Sequence, residues 1–310
     1  MMTFLERLPS LFLGASELGI VYAVMALGVF ISFRTLNTPD LTVDGSFVLG
    51  AAVSAVLCAS GHPLLGLALA FLAGGLAGCV TSLLNTKLGV QPLLAGILVM
   101  LGLYSVNLRV MGNKPNVKIQ NGETIYNISL SEYLGEYSRL VISFFILAII
   151  LLSLFFFLKT RFGFVLRATG DNEHMVRASG VNTDYTKLIG LALSNGLVGL
   201  SGAMIAQFQR FSDVQMGVGM VVIGLASVII GEVVFGTKSL LRRLTAVALG
   251  SVLYRFIIAM AFELGMPATD LKLVSAVIVA LALSAPKIGG VLEKLKKRFI
   301  VGDSGGDRHA

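Results

Sequence analysis

Apolar residues along this chain run together and do not alternate with polar ones. Residues 63–86 (PLLGLALAFLAGGLAGCVTSLLNT) and 140–158 (LVISFFILAIILLSLFFFL) carry no charge. A helix needs about 20 residues to cross a hydrocarbon core, so each run suffices for one crossing. A transmembrane barrel would instead show segments of roughly ten residues with alternating polarity. The pattern predicts an all-α fold, a polytopic bundle of about nine membrane spans. These are 16–33, 44–60, 63–86, 90–109, 139–158, 187–208, 214–235, 243–262 and 269–285. A partial span before the first would make ten, and a re-entrant second or ninth segment would leave eight. The domain layout is an interfacial N-terminal segment (1–15), a transmembrane domain (16–285) and a basic tail (286–310). Residues 1–14 lack the charged, apolar, small-residue order of a cleaved signal.

Composition supports lipid as the solvent. Only 13% of residues are charged and 55% are hydrophobic, against about 25% charged in soluble domains. The net charge of +7 fits basic loops that hold a membrane protein in orientation, and nucleic-acid binding is not expected. Placing 159–186 in the cytoplasm puts most of the 24 lysines and arginines on that side. Arg7, Arg109, Lys114, Lys118, Arg139, Arg210 and Lys272 then fall outside, and Arg255 lies within a span. This predicts a cytoplasmic C-terminus and an external N-terminus. The cysteines, Cys58 and Cys79, sit in apolar runs as small core residues. His62, His174 and His309 are scattered, so no metal site and no cofactor is expected.

Polar residues inside spans cost free energy unless paired or hydrated. Arg255 could pair with Glu232 or Asp44, or line a pathway. Asn107 and Asn195 can hydrogen-bond between helices or touch a solute. Glu232, near the end of its span, could face water, pair with Lys238 or Arg242, or act as a gate latch. Asn37, Asp40 and Asp44 surround Pro39, which forbids a continuous helix there. Thr42 or Asp44 can cap the next helix. The segment is either a capped re-entrant turn or a broken helix beside a translocation path.

The loop 159–186 holds a short amphipathic stretch, Glu173 to Ser179, between the breakers Gly170 and Gly180, with Asp171 or Asn172 as cap. It is a plain interfacial connector or a docking element. Here the chain, RATGDNEHMVRASGVNT at 167–183, resembles the cytoplasmic coupling loop of ABC permeases of the branched-chain amino acid and ribose type. The next stretch, LIGLALSNGLVGLSGAMIAQFQ (188–209), resembles the helix that follows it in that family. LNTPDLTVDGSFVLGAAV (36–53) and RFIIAMAFELGMPATDLKLVSA (255–276) look like the uncharacterised and aromatic-amino-acid branch. One departure is Glu232 after Gly231, where the family commonly has Gly-Gly.

The resemblance implies a non-catalytic permease subunit that moves a small solute, an amino acid by its branch, across a bacterial inner membrane. It implies cytoplasmic ATPase subunits that dock on Arg167, Gly170, Asp171, Asn172, Met175, Arg177, Ala178 and Gly180. It also implies an extracytoplasmic solute-binding protein. The chain has no G-x-x-x-x-G-K-[ST] run of its own, so the ATPase must be a separate chain. One coupling loop per chain against two ATPases predicts a homodimer. The competing class is a secondary transporter or channel acting alone, which would call for paired acids within the spans; these are nearly absent.

Overall fold

The computed structural model describes residues 4–119, 122–127, 135–267, 270, 273–277, 280 and 284, with only the backbone of 4–10 and 136. Among the described residues seven helices are long and apolar enough to cross a membrane, and an eighth is shorter. The protein is an all-α polytopic membrane protein. In chain order the helices are α1 (Phe4–Val29), α2 (Thr42–Ala59), α3 (Pro63–Thr86), α4 (Pro92–Val110), α5 (Ser138–Lys159), α6 (Arg161–Asp171), α7 (Glu173–Ala178), α8 (Thr183–Gln209), α9 (Met220–Phe235) and α10 (Leu240–Glu263). Two short strands, β1 (Asn116–Lys118) and β2 (Phe211–Asp213), pair antiparallel.

Proline at the first turn starts α3 and α4, where its missing N–H costs nothing. α1 runs unbroken from Phe4 and then widens into a π-turn, Phe30–Thr35. There the Thr35 hydroxyl donates to the Phe30 carbonyl, and the chain leaves through Asn37 at φ 51°. Such widened turns are uncommon and cluster at functional sites.

The spans alternate between two ends. Residues 36–41, 87–91, 160–182 and 236–239 gather at one end, where α6 and α7 lie. Residues 60–62, 111–119, 122–127, 135–137 and 210–213 gather at the other, around the β1–β2 ribbon, and the turn 214–219 runs from there back into the bundle to Asp44. At the ribbon end the Gln207 side chain accepts from the Ile125 N–H and donates to Ser54 and the Pro63 carbonyl. That holds the 122–127 segment against the bundle. Tyr126 is buried there, which pushes its phenol up to about 12 despite a hydrogen bond with Ser143.

α1 is the centre of the bundle: Val21 and Ala23 through Leu27 are fully buried. α2 and α8 flank it. α8 meets α2 and α3 backbone to backbone, because Gly50 faces Gly199, and Gly74 and Gly78 face Asn195 and Leu191. A Cβ at any of these positions would collide with a carbonyl. Helices in lipid gain their attraction from such close packing, since burial from water adds nothing there. α5 is the rim. Phe144, Phe145, Ile149, Leu152 and Phe156 point outward, a surface suited only to lipid or another apolar partner.

α1 begins at Phe4, against an expected span start at 16, and two further expectations change. The seventh span begins at Met220, not 214, because 211–213 form β2 and 214–219 are turns. The loop 159–186 is mostly helical, and Gly170 sits within α6 and breaks nothing. The ninth span, 269–285, and the tail fall largely outside the described residues.

Candidate functional site

The polar residues predicted from sequence collect in two places. One lies inside the bundle, where α2 and α9 begin. The other is the surface pair α6 and α7.

Inside, α2 starts after the Pro39 break. Neither Thr42 nor Asp44 caps it: Leu41 holds the cap position, and the Asp40 carboxylate just before it accepts the Thr42 N–H at 2.9 Å. Asp40 is 1% exposed. Its other oxygen accepts from Asn195 Nδ2 at 2.6 Å. Asn195 in turn accepts from Ser46 Oγ at 2.8 Å and donates to the Leu191 carbonyl. The amide thus uses both of its ends, and α2 and α8 are tied by a closed set of bonds. Thr42 meets Thr81 of α3 at 2.7 Å. A satisfied polar joint of this kind fixes register between helices that would otherwise slide.

Asp44 caps a different helix from its own. Its carboxylate accepts the N–H groups of Gly219 and Val221, each at 2.9 Å. These are the first free amides of α9, where the helix dipole favours a negative group. At 16 residues, α9 spans about 24 Å, less than a hydrocarbon core of about 30 Å. The turn 214–219 makes up the depth, with Gly219 left-handed at φ 88°. A non-helical segment inside a membrane bundle survives only where protein or water satisfies its backbone.

Asn107 donates to the Gly45 carbonyl at 3.2 Å, while its own Oδ1 has no partner among the described residues. At the far end of α9, Glu232 grips Arg34 through both carboxylate oxygens, the closest contact being 2.7 Å. This corrects the expected partners: Arg242 instead donates to the Phe235 carbonyl. Arg34 belongs to the π-turn of α1, so the ion pair joins α1 to α9. Nothing local in the sequence marked Arg34, since its partner is 198 residues away. Arg255 forms no ion pair with Glu232 or Asp44. Its guanidinium lies over the Tyr22 ring, 3.7 Å from the centroid, and Tyr22 stacks on Phe47. Asn37 is exposed at the α6–α7 end.

At the surface, Asn172 caps α7 as expected, accepting the Met175 N–H at 3.1 Å. Val176 faces inward, and Met175 and Ala178 face out. Gly180 makes the following turn at φ 80°. Gly170 has a packing role instead: it lies against the Thr35 carbonyl, where any side chain would collide. α6 is therefore seated on the π-turn of α1. Arg167 reaches back to the Gly163 carbonyl, and Asp171 is exposed.

Arg177 is committed within the chain. It bonds Thr183, Glu173 and Asp184 at 2.6, 2.9 and 3.4 Å. Lys187 holds Glu173 at 2.7 Å, and Lys87 of the α3–α4 turn holds Asp184 at 3.1 Å. Partial burial disfavours the Glu173 charge. The hydrogen bonds and charges of Lys187, Thr183 and Arg177 outweigh it and hold the carboxyl below its ordinary value.

The described residues thus form a membrane bundle with a widened first helix, a short helix starting within it and a surface helix seated on the widened turn. Residues 12–284 match the family described as branched-chain amino acid transport system / permease component, and the chain belongs to that family. It is 39% identical over 282 residues to the tyrosine transport system permease protein of Clostridioides difficile, covering 91% of this chain and 93% of that one. It is 24% identical to a probable branched-chain amino acid transport permease protein of Methanocaldococcus jannaschii, over 89% of this chain and 91% of that one. It is 28% identical to the ribose import permease protein of Escherichia coli K12, over 85% of this chain and 81% of that one. No solved structure matches the chain. The chain is thus the permease component of an ABC-type import system.

Proposed function

We propose that this permease carries an amino acid, aromatic or branched, inward across a bacterial inner membrane, driven by a separate ATPase that docks on α7. The solute class is supported by the similarity to a tyrosine transport permease. In this reading the α6–α7 end is cytoplasmic, along with the C-terminus. The ribbon end faces an extracytoplasmic binding protein, two copies of the chain form the pathway, and lipid covers α5.

One observation carries the docking claim. α7 presents His174, Met175 and Ala178 outward, while Val176 is buried and Glu173 and Arg177 are tied within the chain. Force applied there passes through α6 and Gly170 to the π-turn of α1. From Arg34 it reaches Glu232 and α9. The Arg34–Glu232 pair is then the latch at the cytoplasmic mouth, and α9 with its capped start is the moving element. Asn172 shapes the docking helix as its cap, and the exposed Asp171 stands beside it on the docking surface.

The test is co-purification of the ATPase with Ala178→Trp and Met175→Glu, alongside amino acid uptake into vesicles. A close-fitting contact loses about 1–3 kcal/mol on overpacking, so Ala178→Trp should cut docking roughly tenfold or more while insertion into the membrane is unchanged. Full docking and full uptake in both variants would reduce α7 to a connector.

A further inference from the structure

A cavity of about 220 Å³ opens between α2, α4 and the turn before α9. Its polar wall is Asp44 and Asn107; its apolar wall includes Met100, Leu101, Tyr104 and Val218. Asp44 and the Asn107 carbonyl present acceptors to it. Asn107 is 2% exposed, one of its two amide N–H groups goes to the Gly45 carbonyl, and its Oδ1 has no partner among the described residues. Asp44 has given one lone pair on each oxygen to the α9 amides, and each oxygen retains another. Among the described residues no lysine or arginine forms an ion pair with Asp44, and no basic side chain lines the cavity.

Backbone amides alone therefore balance a carboxylate within a membrane span, beside a buried acceptor that lacks a donor. Both conditions are costly as they stand, and both are relieved by one kind of guest: a cation that donates several hydrogen bonds. An ammonium group offers three. The apolar wall adds one aromatic ring and a methionine, against which a flat or branched side chain can lie. No basic side chain there can pair with a carboxylate, and the α9 amides that could receive one already hold Asp44.

We propose that this cavity is a solute subsite that recognises the α-ammonium group and apolar side chain of an amino acid and leaves its carboxylate unread. Asn107 Oδ1 and Asp44 take the ammonium, and Tyr104 and Met100 take the side chain. The inference rests on the amino acid permease reading above and deepens it. It implies that a decarboxylated amino acid binds like the parent, whereas a deaminated one does not.

The test is saturation-transfer NMR on the full-length permease in lipid nanodiscs, without ATPase or binding protein. The probes are L-tyrosine, tyramine and 3-(4-hydroxyphenyl)propionate. Tyrosine and tyramine should bind competitively and the deaminated acid at least about tenfold more weakly, the factor expected for one lost charge-assisted hydrogen bond. Asn107→Leu, of similar shape, should weaken both amines by a comparable factor, and Asn107→Asp should retain them. Equal binding of the deaminated acid, unchanged binding in Asn107→Leu, or no binding of any probe would overturn the proposal. The wild-type probe series decides the matter even if Asn107→Leu fails to fold. Absence of amine binding by the wild type, with ATPase docking intact, refutes the subsite alone. Full docking in Ala178→Trp and Met175→Glu, with amine binding by the wild type intact, refutes the ATPase coupling alone.

Discussion

Two polar assemblies in this bundle use similar residue types and carry different weight. Inside, Asp40, Asn195 and Ser46 are each essentially excluded from solvent and form a closed set of short bonds. At the surface, Glu173, Arg177, Asp184 and Lys187 form a net of ion pairs, with Arg177's side chain 56% exposed. Water can replace any bond in the second set. Lipid and packed glycines leave the first set no replacement. The inner joint therefore acts as a fixed pivot between α2 and α8, and the outer net as an adjustable strap that orients α7. The Arg34–Glu232 pair stands between them, with one partner side chain 59% exposed and the other 7%.

The largest effect should come from breaking the pivot. Asn195→Leu strands the second oxygen of Asp40 and the hydroxyl of Ser46. Stranded buried polar groups cost about 1–3 kcal/mol each, more than the roughly 0.6 kcal/mol that a hydrogen bond in a membrane protein commonly returns. We expect a loss of about 2–4 kcal/mol in resistance to denaturing detergent. A loss under about 0.5 kcal/mol would show that the joint relaxes freely and that the contrast of depth is mistaken.

A smaller effect should follow at the latch. Glu232→Gln removes the charge while keeping the shape. A half-exposed pair is worth about 1 kcal/mol, so stability should hardly change. Uptake is where the variant should register, as faster leak through ATPase-free vesicles, and Arg34→Gln should match it. If the two single variants differ and the double variant adds their effects, the pair does not work as a unit.

The smallest effect belongs to the strap. The Glu173 carboxyl is held below its ordinary value, so its contribution is fully present above the unfolded value of about 4.3. It is lost as pH falls through the lowered native value, because the unfolded chain takes up the proton first. Hydrogen exchange of the α7 amides should rise in that acid window, and Glu173→Gln should flatten the dependence. High salt should loosen α7 at neutral pH without affecting the amides around Asn195. An identical salt response in both places would erase the distinction between pivot and strap.

Much of the framework was legible before any contact was known. The run 63–86 predicts α3 to the residue, and 139–158 and 243–262 fall within α5 and α10. The cap of α7 at Asn172 was also legible, because side-chain capping acts across three residues. The site was only half legible. Asp40, Asp44, Asn107, Asn195 and Glu232 stood out as polar groups in apolar surroundings, but their partners did not. Arg34 was counted as a loop charge, and Ser46 and Gln207 carried no signal at all. The length of the seventh span was misjudged because 214–219 is apolar enough to extend it. Its turns are set by β2 pairing with a strand nearly a hundred residues earlier.

The sequence by itself determined that the chain lives in a bilayer and where most of its helices run. Those facts depend on the length of an uncharged run against the thickness of a hydrocarbon core, a comparison made within about 20 residues. It also determined which residues could not rest unpaired in such a medium. Only the tertiary structure decided how they pair: Asp40 with Asn195 across 155 positions, Asp44 with the start of α9 across 175, and Arg34 with Glu232 across 198. The physical reason is that such bonds are directional and reach about 3 Å. They exist only after glycine-to-backbone contacts have set how closely and in what register the helices meet.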